Sequence, residues 1–372
     1  MGEISNFAVK CRIYPTSEQQ IMIAKTFGCC RKVYNLMLSD KIDHYREHKE
    51  SLMTTPAQYK GEYPYLKEVD SLALANVQLN LQTAYKNFFR DRRIGFPKFK
   101  SKKRDKKTYT TNLVNGNIVV TADSIKLPKV GVISAKVHRK VPDGAKLKSV
   151  TVSQDMDGRH YASILYEVEK GPAAPAQISE DMSHIGFDYK SDGLYVDSFG
   201  NSADMPHFYR ESHKKLAKAQ RKLSKKGKGS KNREKQRRKV ARIAVHIANQ
   251  RKDFLHKLSA EITNQYELVS VESLNMKAIS QTLRLGKATL DNGYGMFCEM
   301  LCYKQHRKGH YFVKVDRLFP SSQLCQCGYK NPATRDLSVR TMACPVCGSI
   351  YDRDINAAKN IDKEGLKILL AS

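Results

Sequence analysis

The chain has 372 residues, and 65 Lys and Arg against 37 Asp and Glu give a formal net charge of +28 at pH 7. That length accommodates two or three domains, and the charge demands an anionic partner, nucleic acid above all. Apolar runs of only a few residues exclude a membrane span. Nine cysteines, an odd number with four in two close pairs, argue against a secreted disulfide framework. The opening MGEISNFAVKCRIYP does not read as a signal peptide, and the expected location is the cytoplasm of a prokaryote.

Residues 7–14, FAVKCRIY, alternate apolar and polar side chains and predict a strand closed by Pro15. Thr16 or Ser17 then caps a helix in which Ile23, Phe27, Cys30, Tyr34 and Met37 recur at helical spacing. Leu74, Val77, Leu81, Ala84 and Phe88 mark a second helix at 71–90, with a loop, MTTPAQYKGEYPY, between the two. These aromatics and Cys29/Cys30 are expected in the core. From Gly95 the composition changes. FPKFKSKKRDKKTYTT carries seven basic residues between Lys98 and Lys107, interleaved with Phe96, Phe99 and Tyr109. Lys98, Lys100, Lys102, Lys103 and Arg104 are candidate phosphate contacts, and the aromatics offer faces for base stacking. Asn115-Gly116, Asp143-Gly144 and Asp157-Gly158 are hairpin signals. Residues 96–170 therefore read as a β-rich barrel completed by the N-terminal strand, and GPAAPAQISED (171–181) has the composition of a linker.

HIGFDYKSDGLYVDSFG reads strand, Asp192-Gly193 turn, strand, with Asp188 near the end of the first. Alone, such an Asp is more often a turn or cap residue than a ligand. Between Arg210 and Lys257 lie 19 Lys and Arg and three acids, a net +16. The glycines of SKKGKGSKNREKQ break this stretch into two helical arms, each with one packed and one charged face. Like charges at this density repel without a polyanion, so Lys214, Lys215, Lys218, Arg221 and Lys222 are expected on nucleic acid. ELVSVESLNM (267–276) is an apolar β run ending at Glu272, whose carboxylate needs a partner or a metal there. KATLDNGYGMFCEMLCYKQHRKGHYFVKV predicts a helix holding Cys298 and Cys302, both read as core rather than metal ligands, then a buried strand to Val315.

Four thiols follow, Cys325/Cys327 and Cys344/Cys347, and seven residues later Asp354 heads a helix of small residues. Soft sulfur ligands select zinc, whereas an isolated carboxylate suits magnesium. The single spacer of Cys325-Gln326-Cys327, where two residues are usual, predicts a distorted knuckle and weakened zinc binding.

Asp188, Glu272 and Asp354 fall in the order strand meander, strand, helix of an RNase H-like fold, in which such acids hold two magnesium ions about 4 Å apart for phosphodiester hydrolysis. The combination of GFDYKSDGLYVDS, SVESLNMKAIS, FPSSQLC…CPVCG and DRDINAAKNI resembles the TnpB family over essentially the whole chain. These are the RNA-guided nucleases of IS200/IS605-type transposons, ancestral to the type V CRISPR nucleases. The resemblance implies an α+β multidomain fold: a wedge-like β-barrel (1–16 and 95–170) with a helical recognition insertion (17–94). After the linker (171–181) come a RuvC nuclease domain (182–318 and 351–372) and an inserted, target-binding zinc ribbon (319–350). It further implies a guide RNA (omega-type or CRISPR RNA), double-stranded DNA targets beside a short motif, and Asp188, Glu272 and Asp354 as the magnesium-binding triad. Asp352 is a helper or a cap. Met342 stands where relatives often carry tryptophan, which this chain lacks. An RNA-guided DNA-binding repressor is the alternative; loss of a triad acid would mark it, and all three are present. A generic zinc-ribbon protein would not explain the order of the acids.

Overall fold

The N-terminal strand, β1 (Ser5–Tyr14), buries Val9, Cys11 and Ile13 on one face and sits in the middle of an antiparallel sheet. In the computed structural model, residues 5–169, 173–282, 291–331 and 340–372 are described, and the chain divides into two units, Met1–Gly171 and Pro172–Ser372. The other strands of the first unit are β2 (Lys107–Asn112), β3 (Val119–Val120), β4 (Ser124–Leu127), β5 (Gly131–Lys136), β6 (Lys146–Gln154) and β7 (His160–Val168). Their order is β2-β6-β7-β1-β5-β4-β3. β1 pairs with β7 from Ser5↔Val168 to Ile13↔His160 and with β5 from Arg12↔Lys136 to Tyr14↔Ser134.

Thr16 caps α1 (Ser17–His48) through a reciprocal box with Gln19, satisfying two orphan donors, and Asp70 caps α2 (Ser71–Arg90). The connection between them is not plain loop. It contains short 3-10 turns at Pro56–Lys60 and Pro64–Lys67 that bury Tyr59 and Leu66. Of the three hairpin signals, only Asp157-Gly158 joins neighbours, β6 and β7. Asn115 and Gly116 are both left-handed (φ 49° and 69°), yet they turn between β2 and β3, at opposite edges of the sheet. Asp143-Gly144 likewise separates β5 from β6, because β1 and β7 lie between those strands. Turn chemistry fixes a local reversal, whereas the strand partner is chosen by the distant β1. Among the described residues β2 and β3 each pair on one side only, so no hydrogen-bonded ladder joins the two edges of this sheet.

In the second unit, β8 (His184–Lys190) and β9 (Leu194–Asp197) form an antiparallel pair, while β10 (Leu268–Glu272) runs parallel to β8 and β11 (Tyr311–Val315) parallel to β10. The order is β11-β10-β8-β9. Parallel neighbours need crossovers: α3 (Phe208–Ser224) and α4 (Lys231–Gln265) precede β10, and α5 (Met276–Thr282) and α6 (Tyr294–Arg307) precede β11. β11 was expected to be buried, but only Val315 is, because the strand forms the sheet edge. The linker-like stretch is fastened beside it, with Ala176 N donating to Gly309 O (2.8 Å) and Tyr311 Oη donating to Ala176 O (2.7 Å). The chain ends in the hairpin β12 (Thr341–Ala343)/β13 (Ile350–Asp352) and α7 (Arg353–Leu370). α7 lies across β8 and β10. Gly186 on β8 and Gly365 on α7 permit this approach, since a Cβ on Gly186 would meet Asp362 N at 2.6 Å. Among the described residues no helix is long and apolar enough to cross a membrane.

Candidate functional site

The sheet and α7 bring three acids far apart in sequence to one cleft of ≈ 920 Å³. Asp188 lies on β8 opposite Val196, Glu272 is the last residue of β10, and Asp354 stands in the first turn of α7. Asp188 is pushed up to about 8, first by burial and then by the charges of Glu272 and Asp354, with Arg353 opposing. Burial also raises Glu272. Asp352 is the cap of α7, its Oδ1 accepting from Asp354 N (2.9 Å) and Ile355 N (3.0 Å), an acidic side chain at the positive end of the helix dipole. Both Asp354 carboxylate oxygens accept from Arg340 Nη1, at 3.1 and 3.2 Å. Lys190, Arg317, Lys330 and Arg353 also line the cleft, so cations share it with the carboxylates. Three carboxylates lining one cleft are a set of hard oxygen donors, which fits divalent magnesium.

Beyond the cleft, all four ribbon thiols converge. Cys325 Sγ lies 3.6 Å from Cys347 Sγ and Cys327 Sγ 3.7 Å from Cys344 Sγ, and the four sulfurs lie within 4.8 Å of one another. A tetrahedral zinc with Zn–S bonds of about 2.3 Å sets its sulfurs about 3.8 Å apart. The one-residue spacer therefore still brings both thiols to a cluster that could bind zinc. Glycines in left-handed conformation, Gly328 (φ 89°) and Gly348 (φ 68°), turn the chain after each pair. The Ser349 hydroxyl and amide hold Cys347 down at about 6. Among the described residues this is the group of metal-ligating side chains drawn so closely together, and Cys298 and Cys302 are not in it. Cys298 is core, its thiol pushed up to about 12 by burial.

Lys214, Lys215, Lys218, Arg221 and Lys222 are exposed on α3, whose Leu216 and Ala219 are buried, and none of the five has an ion-pair partner among the described residues. In the first unit Lys98, Lys102, Lys103 and Arg104 are exposed. Lys100 is not: its ammonium lies 4.0 Å from the Tyr34 ring centroid and its backbone is clamped by Asn35. Tyr109 is also interior, 5.7 Å from the Phe27 ring, whereas Phe96 and Phe99 remain 44% and 56% exposed. The sequence reading missed Arg340, because its distance from the acids is closed only by the hairpin. It also missed Gln326, Asn356 and Asn360; two amides one turn apart on a helix of small residues were the available signal.

Three family models match: OrfB_IS605, described as a probable transposase, over residues 163–283; a helix-turn-helix domain over 1–50; and a Cas12f1-like TNB domain over 294–361. Residues 5–48 of the second match fold as a strand and one continuous helix. A protein of Streptomyces pristinaespiralis, carried under the name of a candidate RNA-guided DNA endonuclease, is 37% identical over 96% of this chain and 89% of its own length. The chain belongs to the TnpB family. InsQ of Escherichia coli K12, named likewise as a candidate RNA-guided DNA endonuclease, is 29% identical over 97% of this TnpB-family chain and 93% of its own. The TnpB-like protein L770 of Acanthamoeba polyphaga mimivirus is 25% identical over 96% and 73%. Among solved structures, the Cas12f1–sgRNA–target DNA complex superposes with a TM-score of 0.58 at 12% identity, covering 96% of this chain and 98% of that one, so the TnpB-family chain shares its fold. The architecture is thus a TnpB/Cas12-like multidomain α+β fold with a four-cysteine cluster.

Proposed function

We propose that this chain is an RNA-guided endonuclease that hydrolyses double-stranded DNA beside a short motif, using a RuvC-type centre of Asp188, Glu272 and Asp354. The observation that carries the reading is the convergence of these three acids, from two strands and a helix, on one cleft that cations also line. Support comes also from the strand order β11-β10-β8-β9 with α7 across it, which has the connectivity of an RNase H-like sheet, and from relatives named as RNA-guided endonucleases.

Asp188, Glu272 and Asp354 would hold magnesium, which in such sites activates water and stabilises the leaving 3′ oxygen. The chain's own residues do the rest. Arg317, Lys330 and Arg353 draw the phosphodiester into the cleft, and Asp352 with the α7 dipole orients the turn that bears Asp354. The exposed cations of α3 and of the 98–104 loop grip guide or target phosphates without reading bases. Cys325, Cys327, Cys344 and Cys347 would hold a structural zinc that fixes the ribbon.

Full-length protein loaded with its co-purifying RNA should cut a matched plasmid in magnesium. Asp188→Ala, Glu272→Ala and Asp354→Ala should each abolish cutting and keep RNA binding. Guided cleavage at near wild-type rate by any of these variants removes that residue from the centre. Wild-type protein that binds matched DNA and never cuts it would establish the repressor reading instead.

A further inference from the structure

Each of the three amide side chains that join the ribbon to α7 is engaged by the others or by the chain beside it. Gln326, the lone residue between the first two thiols, donates from Nε2 to Asn356 Oδ1 (2.8 Å) and to Asn360 Oδ1 (2.9 Å). The two asparagines donate back to the chain that leads into the knuckle. Asn356 Nδ2 reaches Leu324 O (2.6 Å), and Asn360 Nδ2 reaches Ser321 O and Leu324 O (2.7 Å each). Asn356 and Asn360 are 2% and 7% exposed, so this network is closed and dry on the helix side.

Its orientation is determined by its neighbours. Turning either asparagine over would set its amide hydrogens against those of Gln326 and its oxygen against the Leu324 carbonyl. Only a donor at position 326 closes the network. Asn356 sits two residues from Asp354, in the same helical turn, while Gln326 is bonded directly to Cys325 and Cys327. The path from the thiol cluster to the cleft is therefore one side chain and half a helical turn.

We propose that Gln326 is a positioning residue that couples the state of the thiol cluster to the placement of Asp354. With the four thiols gathered on a metal, Gln326 is held where it can donate to both asparagines, and the first turn of α7 is pinned where it lines the cleft. When the cluster is stripped of metal or its thiols are blocked, that donor is withdrawn and Asp354 is left to Arg340 and the cap. The single-residue spacer, which the sequence reads as a defect, thus has a use: the one side chain between the thiols spans from knuckle to helix. The proposal rests on the endonuclease reading for its effect on cleavage, though the contact itself does not.

The test uses full-length protein with guide RNA and three variants. Gln326→Glu keeps the shape and removes both donors, Gln326→Ala removes the side chain, and Gln326→Lys restores a donor that can reach both oxygens. Zinc content, zinc release to a chromogenic chelator, manganese binding by electron paramagnetic resonance, target-DNA affinity and the cleavage rate at saturating DNA are measured on each. Gln326→Glu should keep the wild-type zinc content and DNA affinity, bind manganese more weakly, and cut at least about tenfold more slowly, since ångström-scale misplacement of a catalytic group costs on that order or more. Gln326→Lys should cut faster than Gln326→Glu. Chelation should slow the wild type strongly and Gln326→Glu little further, because both perturbations break the same link.

Additive effects of chelation and Gln326→Glu, or manganese binding unchanged in Gln326→Glu, would overturn the proposal. So would a rate loss matched by an equal loss of zinc, which would make Gln326 a prop of the ribbon alone. If the wild type binds manganese but never cuts matched DNA, the endonuclease reading fails while the manganese and zinc measurements still decide the coupling.

Discussion

Gly186 is where α7 lies hard against β8. A methyl group there would lie 2.6 Å from Asp362 N and 2.7 Å from Asp362 Cβ, and would also press on the Ala358 carbonyl, where ordinary contact begins at 3.4 Å. These are helix backbone and Cβ atoms in a close-packed interior, so Gly186→Ala must push α7 away from β8 by roughly 0.7 Å or more. Overpacking of this kind costs about 1–3 kcal/mol, which at roughly 2–4 °C per kcal/mol for a unit of some 200 residues lowers its melting temperature by about 2–12 °C. Asp188 lies two residues further along β8 and Asp354 on the displaced helix, so the same shift should slow guided cleavage on the order of a hundredfold at saturating guide and DNA. Gly365→Ala tests the other contact, since its methyl would strike Ser270 Oγ and come within 2.5 Å of Ser270 Cβ. Ser270→Gly should relieve that variant and leave Gly186→Ala uncorrected. Thermal unfolding and single-turnover plasmid cleavage give both quantities. A Gly186→Ala protein with wild-type melting temperature and rate would refute the claim that helix approach sets the geometry of the acids.

Because Asp188 is held at about 8, above its unfolded value, its contribution favours the metal-free fold at low pH and is lost as pH rises through about 8. Protons compete with the cation over the same window, so the half-saturating magnesium concentration should fall about tenfold per pH unit between pH 6 and 8 and level off above; a flat profile would contradict this. Replacing Lys214, Lys215, Lys218, Arg221 and Lys222 with glutamine should weaken RNA binding and flatten its log–log salt slope by about 0.7–0.9 for every phosphate these cations neutralise. An unchanged slope would make α3 an ordinary solvated face. Elemental analysis should find about one zinc per chain, absent from Cys344→Ser, and chelation should lower cleavage more than guide-RNA binding. Fully active protein without zinc would leave the ribbon held by packing alone.

Much of the chain declares itself locally. The alternation of FAVKCRIY, the Thr16–Gln19 box and the apolar face of 71–90 specify β1, α1 and α2, because caps and periodicity act over a few residues. The four thiols and the acids at strand and helix ends are equally visible, since few other residue types carry metal chemistry. Partnership is what the sequence by itself could not determine. Asn115-Gly116 turns the chain as its composition dictates, yet β1, from the far end of the unit, decides which strands pair. Lys100 and Tyr109 sit in a run that looks solvent-facing until Tyr34 and Phe27 close over them. Gln326 becomes informative only when Asn356 and Asn360, 30 and 34 residues on, fold back to accept from it. Arg340 meets Asp354, 14 residues away, in the same manner. Local structure follows from backbone and side-chain preferences within a turn or two, whereas a site made of contacts between distant residues exists only once burial has brought them together.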